Sequence, residues 1–174
     1  TEEGAYSIYA DDPVNADIYG NLYNWHTVDD ERGVCPEGWY VPEKNDYDIL
    51  VNYLGGSLIA GGKMKQSGSE FWNVPNIDAS NESGFSALPS GYRHTGQYMD
   101  INNSCTFWTN TNAVNGQYYY QKLTYLTAET YSNYASSWHG FPIRCLADDI
   151  VLGCTNPDAC NYNPEATEDD GSCT

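Results

Sequence analysis

Cys35-Pro36-Glu37-Gly38-Trp39-Tyr40-Val41-Pro42-Glu43-Lys44-Asn45-Asp46-Tyr47-Asp48-Ile49-Leu50-Val51-Asn52-Tyr53-Leu54-Gly55-Gly56 carries the clearest structural signal in the chain. After Pro42, the residues Tyr47, Leu50, Val51 and Leu54 fall at i, i+3, i+4 and i+7, which gathers apolar side chains on one helix face. Glu43 and Asp46 sit in the first turn, where the helix dipole favours acids, and Gly55-Gly56 supplies the stop. Glu43 is a poor N-cap compared with Ser, Thr, Asp or Asn, so the helix start is expected to be loosely held. A second short helix fits residues 58–66, although Gly61-Gly62 argues against much length.

Around this helix the chain reads as short strands and loops. Residues 4–10 and 18–28 are strand-like, with Pro13 interrupting between them, and 105–109, 117–127 and 141–147 are further strands. Residues 66–112 are rich in Gly, Ser, Asn and Pro. A stretch that long in a compact domain is ordered by its own aromatics, here Phe71, Trp72, Phe85 and Tyr92. The total is an α+β fold with one or two helices.

The chain has 174 residues, 24 acids and 7 bases, a net charge of −17. That surface repels phosphate backbones and anionic lipid, which makes nucleic acid an unsuitable partner. No apolar run approaches the roughly 20 residues of a membrane span, so no membrane insertion is expected. The 16 tyrosines and 5 tryptophans separate it from acidic disordered chains. The charge is concentrated at the ends. Residues 1–31 hold eight acids and 148–174 hold seven, neither with a Lys or Arg, whereas 32–144 hold nine acids and all seven bases. Function at the ends is the natural reading.

Six cysteines, Cys35, Cys105, Cys145, Cys154, Cys160 and Cys173, fit three disulfides formed in an oxidising compartment. With no CxxC or HExxH, zinc is disfavoured. A start at Thr1 suits a secreted chain relieved of its signal peptide, and equally a fragment. Asn81-Glu82-Ser83 and Asn102-Asn103-Ser104 fit the glycosylation pattern.

Several segments in order carry a resemblance: Tyr19-Gly20-Asn21-Leu22-Tyr23-Asn24-Trp25, Cys35 to Pro42, Val51 to Gly56, and Ala60-Gly61-Gly62-Lys63-Met64-Lys65. They continue with Asn81 to Pro89, Gly91-Tyr92-Arg93, Phe107-Trp108-Thr109 and Gly140-Phe141-Pro142-Ile143-Arg144-Cys145. Over residues 18–147 the chain resembles the Fibrobacter succinogenes major paralogous domain of secreted bacterial proteins. That resemblance implies a C-type-lectin-like fold of the formylglycine-generating-enzyme branch: a compact domain with a small twisted antiparallel sheet, long ordered loops and disulfide staples. It also implies that Cys35 pairs with Cys145, a closure worth about 4–5 kcal/mol in the chain-entropy model. Residues 1–17 then form an extended N-terminal strand segment, and 148–174 an acidic, Cys-rich appendage.

The appendage resembles short cysteine motifs at the C-termini of secreted bacterial proteins and, loosely, thrombospondin type 3 calcium repeats. Its hard oxygen donors Asn156, Asp158, Asn161, Asn163, Asp169 and Asp170 are candidate calcium ligands. Ala166, where an EF-hand loop needs Gly, argues against that particular loop. Cys105 lies outside the tail, so at least one tail cysteine is expected to staple the tail to the body.

No catalytic constellation stands out. His26, His94 and His139 lack a nucleophile elbow and read as structural, and fold kinship alone carries no activity. The expectation is a non-enzymatic extracellular protein at the bacterial cell surface, structural or adhesive. Tyr6, Ile8 and Tyr9 would join subunits into a homo-oligomer or filament by strand addition. The alternative is a carbohydrate-binding module that stacks glycans on Tyr118, Tyr119 or Trp138, with Trp72 and Trp108 read as core.

Overall fold

The computed structural model describes residues 3–149 and 151–174; of the acids counted in the leader, Glu2 lies outside that range. Its elements are β1 (Tyr6–Ser7), α1 (Pro13–Tyr19), β2 (Leu22–Tyr23), β3 (Trp39–Tyr40), α2 (Lys44–Tyr53), α3 (Ser57–Met64), β4 (Ser90–His94), β5 (Gln97–Ile101), β6 (Ser104–Asn112), β7 (Gln117–Thr124), β8 (Thr130–Ser136), β9 (Leu146–Ala147), β10 (Leu152–Gly153) and β11 (Glu168–Asp169). The fold is α+β. Five strands form the main sheet in the order β5-β4-β6-β7-β8. The sheet is mixed rather than purely antiparallel, because β4 runs parallel to β6 at Gly91–Cys105.

Strand alternation assigns each face its own core. Phe107 and Leu123 point to one side, where α2 and α3 bring Tyr47, Leu54, Ala60 and Met64, and the long loop brings Trp72. Trp108 points to the other side, against Trp25, Val41 and Phe141. Trp72 and Trp108 are both fully buried, as core residues should be. Each indole N–H donates to a backbone carbonyl, Trp72 to Ala87 at 2.9 Å and Trp108 to Tyr23 at 2.8 Å.

The helix period in 47–54 is realised in α2: Tyr47 and Leu54 are buried, while Ile49 and Tyr53 are exposed. Its start is firmer than Glu43 alone predicts. Asp46 accepts from the Glu43 N–H at 2.8 Å, and Thr111 of β6 accepts from the Lys44 N–H at 2.9 Å, so two orphan donors are satisfied from outside the cap position. In α3 the glycine pair lies inside the helix instead of ending it. A Cβ on Gly61 would meet the Glu129 carbonyl oxygen at 2.3 Å, and one on Gly62 would meet that of Asp78 at 2.5 Å. The helix needs bare backbone there because two loops press against it.

One helix goes against the strand reading of the N-terminal region. α1 is capped by Asp12, whose carboxylate accepts from the Val14 N–H, and Pro13 takes the first helical position, where its missing N–H costs nothing. The strands expected over 4–10 and 18–28 shrink to β1 and β2, each followed by a 3₁₀ turn.

Lys65 follows α3 and is fully buried. Its Nζ donates to the carbonyls of Ile77 and Thr124 at 3.0 Å each and of Thr127 at 2.9 Å, and lies 5.6 Å from the Trp72 ring centre. Two disulfides are present, Cys35–Cys145 and Cys154–Cys173. The first lies beside the β3–β9 pair and closes the body across 110 residues. Three disulfides and a stapled tail do not occur. Cys105 is a free thiol in the middle of the sheet, sealed in the core where no tail cysteine can reach it, and Cys160 is free and exposed.

Burial lowers the Lys65 amine from 10.5 to about 8. The unfolded chain therefore holds more protons than the fold between those values, and stability should rise with pH from 8 to 10.5. In denaturant melts, Lys65→Met should be less stable at pH 7, with three carbonyls unpaired, and should lose that rise; an unchanged slope would refute the assignment. Replacing both Cys35 and Cys145 by Ser should cost about 4–5 kcal/mol, read as a lower denaturation midpoint.

Candidate functional site

The N-terminal leader lies on the surface. Residues 3–21 contain no buried side chain, and Leu22 is the first core residue. Asn24 clamps the leader: its Oδ1 accepts from the Ala5 N–H at 2.9 Å, its Nδ2 donates to the Glu3 carbonyl at 2.8 Å, and its own N–H donates to the Ala5 carbonyl at 2.9 Å. β1 pairs antiparallel with β2, Tyr6 opposite Tyr23. Tyr9 packs on Tyr98 with ring centres 5.2 Å apart and on the bare backbone of Gly91, and the Tyr98 hydroxyl donates to Asp11 at 2.6 Å. Thus Tyr6 and Tyr9 do meet partners within the same chain, while Ile8 lies between β1 and the turn, outside any strand. Tyr6 remains 65 % exposed. Cavities of about 380 and 200 Å³ flank the seated strand.

On the sheet face opposite α2 and α3, a cavity of about 280 Å³ opens between β4, β7, β8 and the segment 139–141. Tyr92, Tyr120 and Phe141 wall it, and Lys122 and His139 contribute polar groups. Lys122 Nζ lies 5.6 Å from the Tyr92 ring centre. Burial pushes the Tyr92 and Tyr120 hydroxyls up from their ordinary value. His139 stacks on His94 with ring centres 4.0 Å apart and planes 14° off parallel. His139 Nδ1 lies 3.2 Å from both the hydroxyl and the carbonyl oxygen of Ser136, so Ser136 engages that nitrogen and Nε2 is the other ring nitrogen.

A third feature is an apolar groove of about 550 Å³ between α2 and β9, lined by Tyr47, Ile49, Tyr53, Phe85 and Arg144. Tyr53 is 85 % exposed, and the Arg144 guanidinium lies 4.7 Å from the Phe85 ring centre. Burial raises the Tyr47 hydroxyl and the Cys105 thiol well above their usual ranges, so neither is a ready nucleophile.

The expected sugar-stacking residues are not brought together. Tyr118 and Tyr119 face opposite sides of β7. Tyr118 is stacked on Trp25 at 3.5 Å, and Tyr119 packs edge-on to Tyr134. Trp138 is exposed beside the leader. Lys122 drew no attention in the sequence; its signal was the period-two run Tyr118, Tyr120, Lys122, which places a base on the aromatic face of a strand.

In the tail, β10 pairs with β11. Asn156, Asn163, Asp169 and Asp170 each use a side-chain oxygen to accept a backbone N–H two residues on, while Asn161 bonds the Ser172 carbonyl and the Thr174 N–H. Asp158 takes its place in the first of these turns through its N–H. Among the described residues no group of three or more His, Cys, Asp or Glu is placed to hold a metal. No helix among them is long and apolar enough to cross a membrane.

The family model of the Fibrobacter succinogenes major domain matches residues 1–147, and the chain belongs to that family. The match takes in the leader as well as 18–147 and ends with β9. No curated protein and no solved structure matches the chain.

Burial, with the neighbouring His94, lowers the His139 imidazole below 6.5. The unfolded chain therefore binds more protons just below that value, and this contribution to stability, complete above pH 6.5, should fade as pH falls. Thermal melts from pH 7 to 5 should show a steeper decline for the native chain than for His139→Gln. Equal slopes would remove His139 as the cause.

Proposed function

We propose that this protein is a secreted, non-enzymatic structural or adhesive module of the bacterial cell surface that assembles with copies of itself through its leader. The observation that carries this reading is that residues 3–21 are held by hydrogen bonds and ring contacts yet bury no side chain. The core of the body is complete without them. Exchange of an identical element between copies keeps every contact and costs little. A leader seated in a neighbour's groove would pair with that neighbour's β2 and be clamped by its Asn24. If each copy gives its leader to the next, the result is an open fibre. The exposed apolar groove beside α2 adds contact area, since patches of that kind mark interaction surfaces.

The finer fold assignment belongs with this reading. A C-type-lectin-like body related to formylglycine-generating enzymes, but with Cys35 and Cys145 joined and Cys105 sealed in the core, lacks the redox-active cysteine pair of those enzymes. Two disulfides suit the extracellular location. Within the 148–174 appendage, residues 151–174 are closed by the Cys154–Cys173 bridge and form their backbone bonds among themselves, while the Asp148 N–H donates to the Gly38 carbonyl of the body.

Light scattering of the full chain at rising concentration, in low and high salt and with calcium or a chelator, tests the proposal. Large species should form, and should vanish on deletion of residues 1–11 and weaken with Asn24→Ala, which cuts the clamp but keeps the leader. A full chain that stays monomeric throughout, that stops at a closed dimer, or that assembles equally well without the leader would overturn it.

A further inference from the structure

We propose that the cavity between β4, β7 and β8 is a binding site for an acidic sugar, a hexuronate unit of an extracellular polysaccharide. It is a separate site from the leader groove and does not depend on the assembly reading. Three features define the ligand. The first is shape and walls: about 280 Å³ bounded by the rings of Tyr92, Tyr120 and Phe141. Phe141 lies 6.0 Å from Tyr92 and 5.3 Å from Tyr120, centre to centre, with planes 70° and 73° apart. That makes an angled apolar floor of single-ring size, suited to the C–H face of a pyranose.

The second is charge. Among the described residues no carboxylate lies within ion-pair distance of Lys122, and its Nζ donates no hydrogen bond, although it is half-buried. In a chain with 24 acids and 7 bases, a half-buried cation with no carboxylate partner, set beside a ring face in a cavity wall, suits an anion from outside. A single carboxylate supplies it.

The third is the ring of hydroxyl partners. Gln117 and Thr106 line the same cavity, and so does His139, whose Nδ1 is engaged by Ser136, which leaves Nε2 for a hydroxyl partner. Amide, hydroxyl and imidazole in one aromatic cleft match a polyhydroxylated ring better than a simple carboxylic acid, which would use Lys122 alone.

Titration followed by NMR with three probes tests the site: methyl glucuronide, the neutral methyl glucoside of the same ring, and a peptide of residues 151–174 as an acidic non-sugar. The glucuronide should shift signals of Tyr92, Tyr120 and Lys122 and bind at least tenfold tighter than the glucoside. Lys122→Gln should lose that tenfold preference, and Lys122→Arg should restore most of it. Circular dichroism melts of both variants confirm that the sheet is intact. If Lys122→Gln fails to fold, Tyr120→Leu, which removes the ring and its hydroxyl but keeps an apolar side chain, should still cut affinity severalfold. Equal binding of glucuronide and glucoside, equal binding of the acidic peptide, or shifts confined to other surfaces would overturn the proposal.

Discussion

A single ammonium group holds the loop-rich half of this molecule in place. Lys65 Nζ bonds the carbonyls of Ile77, Thr124 and Thr127, which belong to the long loop, the end of β7 and the turn before β8. Removing such a group from water costs several kcal/mol, and only full hydrogen bonding can offset it. Three donors on one atom meet that condition, with the face of Trp72 closing the remaining side. The two glycines just before it serve the same junction. The Gly62 N–H donates to the Ala128 carbonyl at 2.9 Å, and the Ser80 N–H donates to the Gly62 carbonyl at 3.0 Å. Helix α3, the segment 76–80 and the turn 124–129 therefore meet at one point. A fold with few long strands and a 25-residue loop, 65–89, needs such a point, because regular hydrogen-bond ladders do not reach its loops.

The node explains which features a linear reading could find. α2 was legible because Tyr47, Leu50, Val51 and Leu54 repeat with helical period. α1 was not, since a helix that buries nothing has no apolar period. Its only signal was Asp12-Pro13, an N-cap followed by proline at the first position, and that proline reads equally well as an interruption. Gly61-Gly62 reads as a helix breaker until the carbonyls of Glu129 and Asp78 are seen against it. Cys105 follows the same logic: an even count suggests pairing, but its buried place on β6, the central strand of the sheet, makes it a small core residue. The tyrosine cleft was least legible of all. Tyr92, Tyr120, Lys122 and His139 meet only because β6 inserts between β4 and β7 and because residues 139–141 fold back over the sheet.

The arrangement of charge gives the proposed assembly a direction. Arg32, Lys44 and Lys63 are paired with Asp30, Asp48 and Glu82. Lys65 is spent on carbonyls. Arg93, Lys122 and Arg144 lie instead over aromatic rings, Tyr98 at 5.5 Å, Tyr92 at 5.6 Å and Phe85 at 4.7 Å. The body thus presents cation-on-aromatic surfaces, while the leader and tail carry acids and no Lys or Arg. Two acidic ends repel when they approach within about 8 Å, the screening length at physiological salt. An acidic end approaching the body meets unpaired cations and tyrosine rings instead. Contact between an end and a body is therefore favoured over contact between two ends. That preference is what a head-to-tail chain requires.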